Sequence, residues 1–161
     1  MNLQQHRRQD STTLMIREIE SASEEQTEEI AADFAEKSLP GTVVAIYGEL
    51  GAGKTVFARG FARGLGVSET VSSPTFTIMQ EYRLGKDAKA KGINWFYHLD
   101  LYRIENPESA LVFGVDEYLS NDNAVLLVEW AERIEKLLPK NTVRVEISHS
   151  GESTRKIRFK T

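Results

Sequence analysis

The sequence predicts an α/β fold: a single domain with a mostly parallel central sheet, helices flanking it and antiparallel strands at its edges. Two apolar runs carry the parallel part. Thr42–Tyr47 and Ala124–Val128 hold almost no polar side chain, as expected of strands covered on both faces. The antiparallel part rests on Val143–Ile147 and Arg155–Phe159, where apolar and polar residues alternate strictly, the pattern of a strand with one wet face. Length is the third observation. A chain of 161 residues with 40% hydrophobic content closes one sizeable core and leaves little for a second domain.

The remaining elements follow in order. Residues 1–12 contain almost nothing to bury and read as a flexible arm, with His6 solvated, so the domain is expected over residues 13–161. Leu14–Ile19 reads as a first strand. Ser23, followed by acidic residues, suits the N-cap of a helix running to about Lys37, with Ile30, Ala31 and Phe34 at helical spacing. Leu39-Pro40-Gly41 ends it before the strand at 42–47. A helix over 54–64 stops near Gly64-Leu65-Gly66, and β-branched and aromatic residues mark strands over 78–84 and 93–99. The basic tract 85–92 between them reads as the solvated loop of a hairpin. Asn106-Pro107-Glu108 opens a short helix, since proline is tolerated in the first turn, and 116–119 another. The strand at 124–129 leads into a predicted helix from Trp130 to Leu138.

Composition narrows the function. A formal net charge of -4 and a pI near 5.5 give no global attraction to nucleic acid, so RNA binding by this chain alone is disfavoured. The absence of cysteine excludes disulfides and thiolate metal sites. No apolar run approaches the roughly 20 residues that span a bilayer. The polar N-terminus lacks the apolar core of a secretory signal, and a cytoplasmic protein with no membrane contact is expected.

The informative motif is Gly48-Glu49-Leu50-Gly51-Ala52-Gly53-Lys54-Thr55, directly after the strand at 42–47. Its spacing is that of a phosphate-binding P-loop, in which glycines let successive backbone N–H groups curl around phosphate. Lys54 would reach the β- and γ-phosphates. Thr55 would place its hydroxyl on magnesium, with the helix N-terminus adding a favourable dipole. The chain is thus read as a P-loop NTPase. Chemistry at the γ-phosphate needs a further acidic group near the metal and something to orient the nucleophile. Glu129, at the end of the apolar strand, and Asp100, at the end of Trp95–Leu99, are the two candidates: one to hold the metal, the other to position water or accept its proton. Ser72-Ser73-Pro74-Thr75 sits where many P-loop proteins keep a segment ordered by the γ-phosphate, with Thr75 as the sensor or, equally, as part of a turn. His98 could be a base but reads first as a core residue. Trp130 could stack on a nucleobase, with a structural role as the default. Arg59, Arg63 and Arg103 could neutralise phosphate or simply be solvated.

Read together, five motifs resemble the TsaE family of bacterial P-loop ATPases: residues 48–55, Ser-Pro-Thr-Phe at 73–76, His-Leu-Asp-Leu-Tyr-Arg at 98–103, Gly-Val-Asp-Glu-Tyr at 114–118 and Val-Glu-Trp at 128–130. The resemblance covers about residues 20–148. It implies ATP bound at the P-loop, magnesium (Mg2+) held by Thr55 and Glu129, Asp100 important for hydrolysis, Thr75 in a switch-like segment and Trp130 supporting the nucleotide. It also implies two protein partners, TsaD and TsaB, whose complex modifies tRNA to threonylcarbamoyladenosine, so that tRNA is met only indirectly. One departure is Ser109, where many members carry an acidic residue. Two other readings share the P-loop: a small-molecule kinase, for which no acceptor pocket or arginine-bearing lid is identifiable, and a regulatory module that exchanges nucleotide without useful hydrolysis. GTP is disfavoured, since no Asn-Lys-x-Asp element appears.

Overall fold

Seven strands form one sheet in the order β1-β7-β6-β2-β5-β4-β3, in a computed structural model that describes residues 14–73 and 77–161. The strands are β1 Ile16–Ser21, β2 Val43–Tyr47, β3 Met79–Arg83, β4 Trp95–Asp100, β5 Ala124–Glu129, β6 Val143–His149 and β7 Arg155–Lys160. The four central strands β6, β2, β5 and β4 run parallel. On one side β7 and β1 add in antiparallel fashion, and on the other β3 does. The arm expected over 1–12 and the sensor Thr75 lie outside the described residues.

Strand alternation divides the core in two. Val44, Ile46, Phe96, Val125 and Leu127 face α1 (Glu24–Glu36) and α2 (Lys54–Gly64), where Ala31, Ala35, Phe57 and Phe61 are buried. Val43, Ala45, Leu99, Leu126 and Val128 face α4 (Pro107–Val112), α5 (Val115–Leu119) and a 3-10 segment, Ala131–Leu137. Capping sets the helix starts: the Ser23 hydroxyl accepts the Gln26 N–H at 3.1 Å, and Asn106 Oδ1 accepts the Ser109 N–H at 2.9 Å ahead of Pro107. No helix among the described residues is long and apolar enough to cross a membrane.

Three local expectations are corrected. The tract 85–92 is no open loop: it contains a helical turn, α3 (Lys86–Ala90), because Ala88 packs against the core and Lys91 Nζ donates to the Glu36 carbonyl at 3.1 Å. Its charge hides a single apolar anchor. The segment after β5 is 3-10 rather than α-helical. Trp130 starts it in the left-handed region (φ 58) and Ile134, fully buried, breaks its dihedrals (φ -128, ψ 26). The first strand begins two residues later than its apolar run and extends to Ser21, which pairs with Arg155.

The topology has one consequence for function. The parallel strands β2, β5 and β4 are neighbours, so their carboxyl ends lie side by side, where open α/β sheets bind ligands. Glu129 is in register with Ile46 on one side and with Asp100 on the other.

Candidate functional site

The loop between β2 and α2 wraps a cleft at the carboxyl ends of these strands. Gly53, the residue before α2, has φ 108, a conformation that L side chains rarely adopt, so only glycine closes the loop without strain. Lys54, the first helical residue, is 5% exposed and folds back on its own loop: Nζ donates to the carbonyls of Gly48 (2.5 Å) and Glu49 (2.8 Å). It also lies 4.2 Å from the ring centroid of Trp130, within cation–π range. Burial lowers the Lys54 pKa, opposed by the negative charges of Glu129, Glu132 and Asp100. The left-handed turn at Trp130 brings the indole over the lysine, and the Tyr102 ring packs against the indole with 5.0 Å between ring centroids.

Both carboxylates sit where strand periodicity puts them. Asp100 and Glu129 end adjacent parallel strands, 5% and 2% exposed. Glu129 Oε2 is 3.5 Å from the Thr55 hydroxyl at the start of α2, and its Oε1 is 2.8 Å from His98 Nε2. Asp100 accepts the Tyr102 N–H at 3.0 Å through Oδ1, and Oδ2 accepts a short hydrogen bond from the Ser73 hydroxyl.

The cleft has a volume of about 690 Å³, ample for a small ligand. It is lined by Gly51, Gly53, Lys54, Thr55, Ser73, Asp100, Glu129 and Trp130, and also by Ala22, Ser23, Glu24 and Thr27 at the start of α1 and by Glu152, Ser153 and Arg155 at the start of β7. Of the P-loop residues, Leu50 also lines it, at 74% exposure. Gly48, Glu49 and Ala52 act through their backbone: the first two hold Lys54, and the Ala52 carbonyl accepts from Arg155 Nε at 2.9 Å. Arg155 thus departs from the wet-face reading of its strand. Arg59 and Arg63 do not line the cleft: Arg59 pairs with Glu28 at 3.1 Å and Arg63 with the same carboxylate at 3.3 Å, tying α2 to α1. Arg103 is exposed and also lies off the lining.

Two contributors escaped the motif reading, Arg155 and the wall at 22–27, while His98 reads as a possible base but first as a core residue. On β4 His98 alternates with Phe96 and Asp100, so it shares the face of Asp100. Arg155 and the wall at 22–27 carried no signal, since both come from elements far away in sequence.

The family model described as "Threonylcarbamoyl adenosine biosynthesis protein TsaE" matches residues 21–157. The chain belongs to the TsaE family. The tRNA threonylcarbamoyladenosine biosynthesis protein TsaE of Bacillus subtilis is 43% identical over 135 residues, 84% of this chain and 79% of the relative. That of Treponema pallidum is 36% identical over 117 residues, 73% of this chain and 80% of the relative. A crystal structure of Bacillus subtilis YdiB superposes with a TM-score of 0.76 at 36% identity, covering 94% of this chain and 88% of the other. The matched range, 21–157, takes in the P-loop, His98 and both carboxylates.

Proposed function

We propose that this TsaE-family chain is a cytoplasmic, magnesium-dependent ATPase that supports the TsaD–TsaB complex in threonylcarbamoyladenosine modification of tRNA. One observation carries the reading: Lys54, Thr55, Asp100 and Glu129 converge on one cleft at the carboxyl ends of neighbouring parallel strands. A triphosphate entering the loop competes with the carbonyls of Gly48 and Glu49 for the Lys54 ammonium, and the rest of the cleft lining, 22–27 and 152–155 included, leaves room for the nucleoside. Thr55 and Glu129 offer hard oxygen donors, the class magnesium selects. Magnesium takes most of its ligands from phosphate and water. When bound, that ion neutralises charge on the phosphates. Asp100, held by Ser73 and the Tyr102 amide, orients water for attack on the γ-phosphorus and receives its proton as the bond to ADP breaks. The basic grip on tRNA is left to the partners, in keeping with the net charge of -4.

The test is ATP hydrolysis by the purified chain with and without TsaD–TsaB. Slow turnover that the partners accelerate is expected. Asp100→Asn should lose roughly 10²–10⁴-fold in rate while keeping nucleotide affinity. Phosphate transferred to an acceptor metabolite without partner dependence would instead establish a kinase, and tRNA modification that survives the loss of hydrolysis would establish a purely regulatory module.

A further inference from the structure

We infer that His98 is a positioning residue for Glu129: it holds Oε1 so that Oε2 is presented to Thr55, where the magnesium–nucleotide reading above places the cation. The inference rests on that reading.

Four observations carry it. Phe96, His98 and Asp100 share one face of β4, and Leu127 and Glu129 share the same face of β5, with His98 in register with Leu127. The imidazole therefore lies diagonally behind Glu129, one step deeper than Asp100. Second, His98 is 0% and Glu129 2% exposed, so the carboxylate has little water to orient it, and a buried carboxylate without a donor is costly. Third, the two imidazole nitrogens are used unequally. A carboxylate only accepts, so Nε2 carries the hydrogen of the 2.8 Å bond. Nδ1 is buried and has no hydrogen-bond partner among the described residues. A histidine kept for the core alone would pair both nitrogens or give way to an apolar side chain such as Phe96, which stacks on it at 6.3 Å. Here the whole polar capacity of the side chain is directed at one oxygen of Glu129. Fourth, Thr55 does not do the orienting itself, because its 3.5 Å separation from Oε2 is at the outer limit of a hydrogen bond. The terminal torsion of a glutamate is broad, and the bond from His98 is the contact that narrows it.

A group that orients a metal ligand affects the metal-dependent part of binding and spares the rest. The experiment is titration of a non-hydrolysable ATP analogue, with magnesium varied and with EDTA, on the intact chain and on His98→Leu and His98→Gln, alongside thermal melting. In His98→Leu, which removes the donor, the magnesium concentration needed to tighten binding should rise roughly 10–100-fold, with affinity in EDTA unchanged. His98→Gln keeps an N–H donor of similar reach and should recover part of that loss. Should His98→Leu fail to fold, His98→Asn, whose amide is too short to reach Oε1, takes its place. Equal magnesium dependence in the parent and every folded variant, whatever their melting temperatures, overturns the inference and leaves the ATPase reading standing. A parent chain that binds the analogue with no response to magnesium overturns both.

Discussion

Lys54 is held by the loop that carries it. Two of its three N–H donors are engaged by the Gly48 and Glu49 carbonyls, and burial pulls its pKa down while Glu129, Glu132 and Asp100 pull the other way. The ammonium therefore sits in an anionic corner, and under the proposed function an exchange of these neutral carbonyls for phosphate oxygens would strengthen its bonds. Glu135, outside the cleft, shows a different balance. Burial alone would raise its carboxyl, but hydrogen bonds from Arg144 and Tyr47, each 2.5 Å, and the charge of Arg144 outweigh it and hold the pKa below the ordinary 4.5. A carboxyl whose pKa is lower folded than unfolded adds stability above its unfolded value and loses it as pH falls through the folded one. Its side chain is 48% exposed, so solvent screens the contribution to about 0.5–1 kcal/mol. Glu135→Gln is expected to melt roughly 1–4 °C below the parent at pH 7. That gap should close as pH falls below 4.5, and an equal gap in strong acid would contradict the assignment.

The helix pair α1–α2 shows how an element can carry a local penalty for a global contact. Gly60 and Gly64 lie within α2, where each costs about 1 kcal/mol relative to alanine. Their spacing aligns them on one face, against α1. A Cβ at Gly60 would lie 2.2 Å from the Glu28 carbonyl oxygen, and one at Gly64 2.3 Å from that of Ala32. The bare backbone lets the helices approach, and Arg59 and Arg63 then reach Glu28. Gly60→Ala should therefore destabilise despite its better helix propensity, by about 1–3 kcal/mol, seen as a melting temperature lowered by roughly 2–12 °C. A variant as stable as the parent would show that the helices have room to separate. The 3-10 segment after Trp130 makes the same point in reverse: apolar spacing over Trp130–Leu138 favours an α-helix, yet seating Ile134 in the core and the indole over Lys54 required a left-handed start.

At the scale of the molecule, the sheet joins segments from both ends of the described chain. β1 pairs only with β7, the Met15 and Thr161 backbones exchange hydrogen bonds at 3.1 and 3.2 Å, and Arg155 at the start of β7 reaches the P-loop. On the wet face Glu18 and Glu146 pair with Lys156, Arg158 and Lys160, so the basic residues of β7 are met by carboxylates on both neighbouring strands. Deleting residues 155–161 removes the partner of β1 and the buried side chains Ile157 and Phe159. Those two alone are worth on the order of 5–10 kcal/mol, comparable with the whole stability of a domain. The truncated chain should show no cooperative melting transition and no affinity for an ATP analogue. Cooperative melting with the parent's affinity would mean that the P-loop core stands without its antiparallel flank.

Most of the fold was legible because it rests on local periodicity. The apolar runs marked β2 and β5, strict alternation marked β6 and β7, and Ser23 and Asn106 marked helix starts. The P-loop, Asp100 and Glu129 were legible for a related reason, since a motif spacing and two strand ends are properties of adjacent residues. His98 reads in sequence only as a possible base or a core residue, although its alternation along β4 puts it on the face of Asp100. What periodicity does not carry is which distant segments meet. Arg155 under the P-loop, the cleft wall at 22–27, the bond from Ser73 to Asp100 and the glycine face of α2 depend on strand order and helix approach, both set by burial of the whole core. By itself the sequence determined the elements and the phosphate loop, because hydrogen bonding and side-chain period act over a few residues. Only the tertiary structure decided how the cleft closes and which group orients each carboxylate, because those contacts join residues from 27 to 103 positions apart.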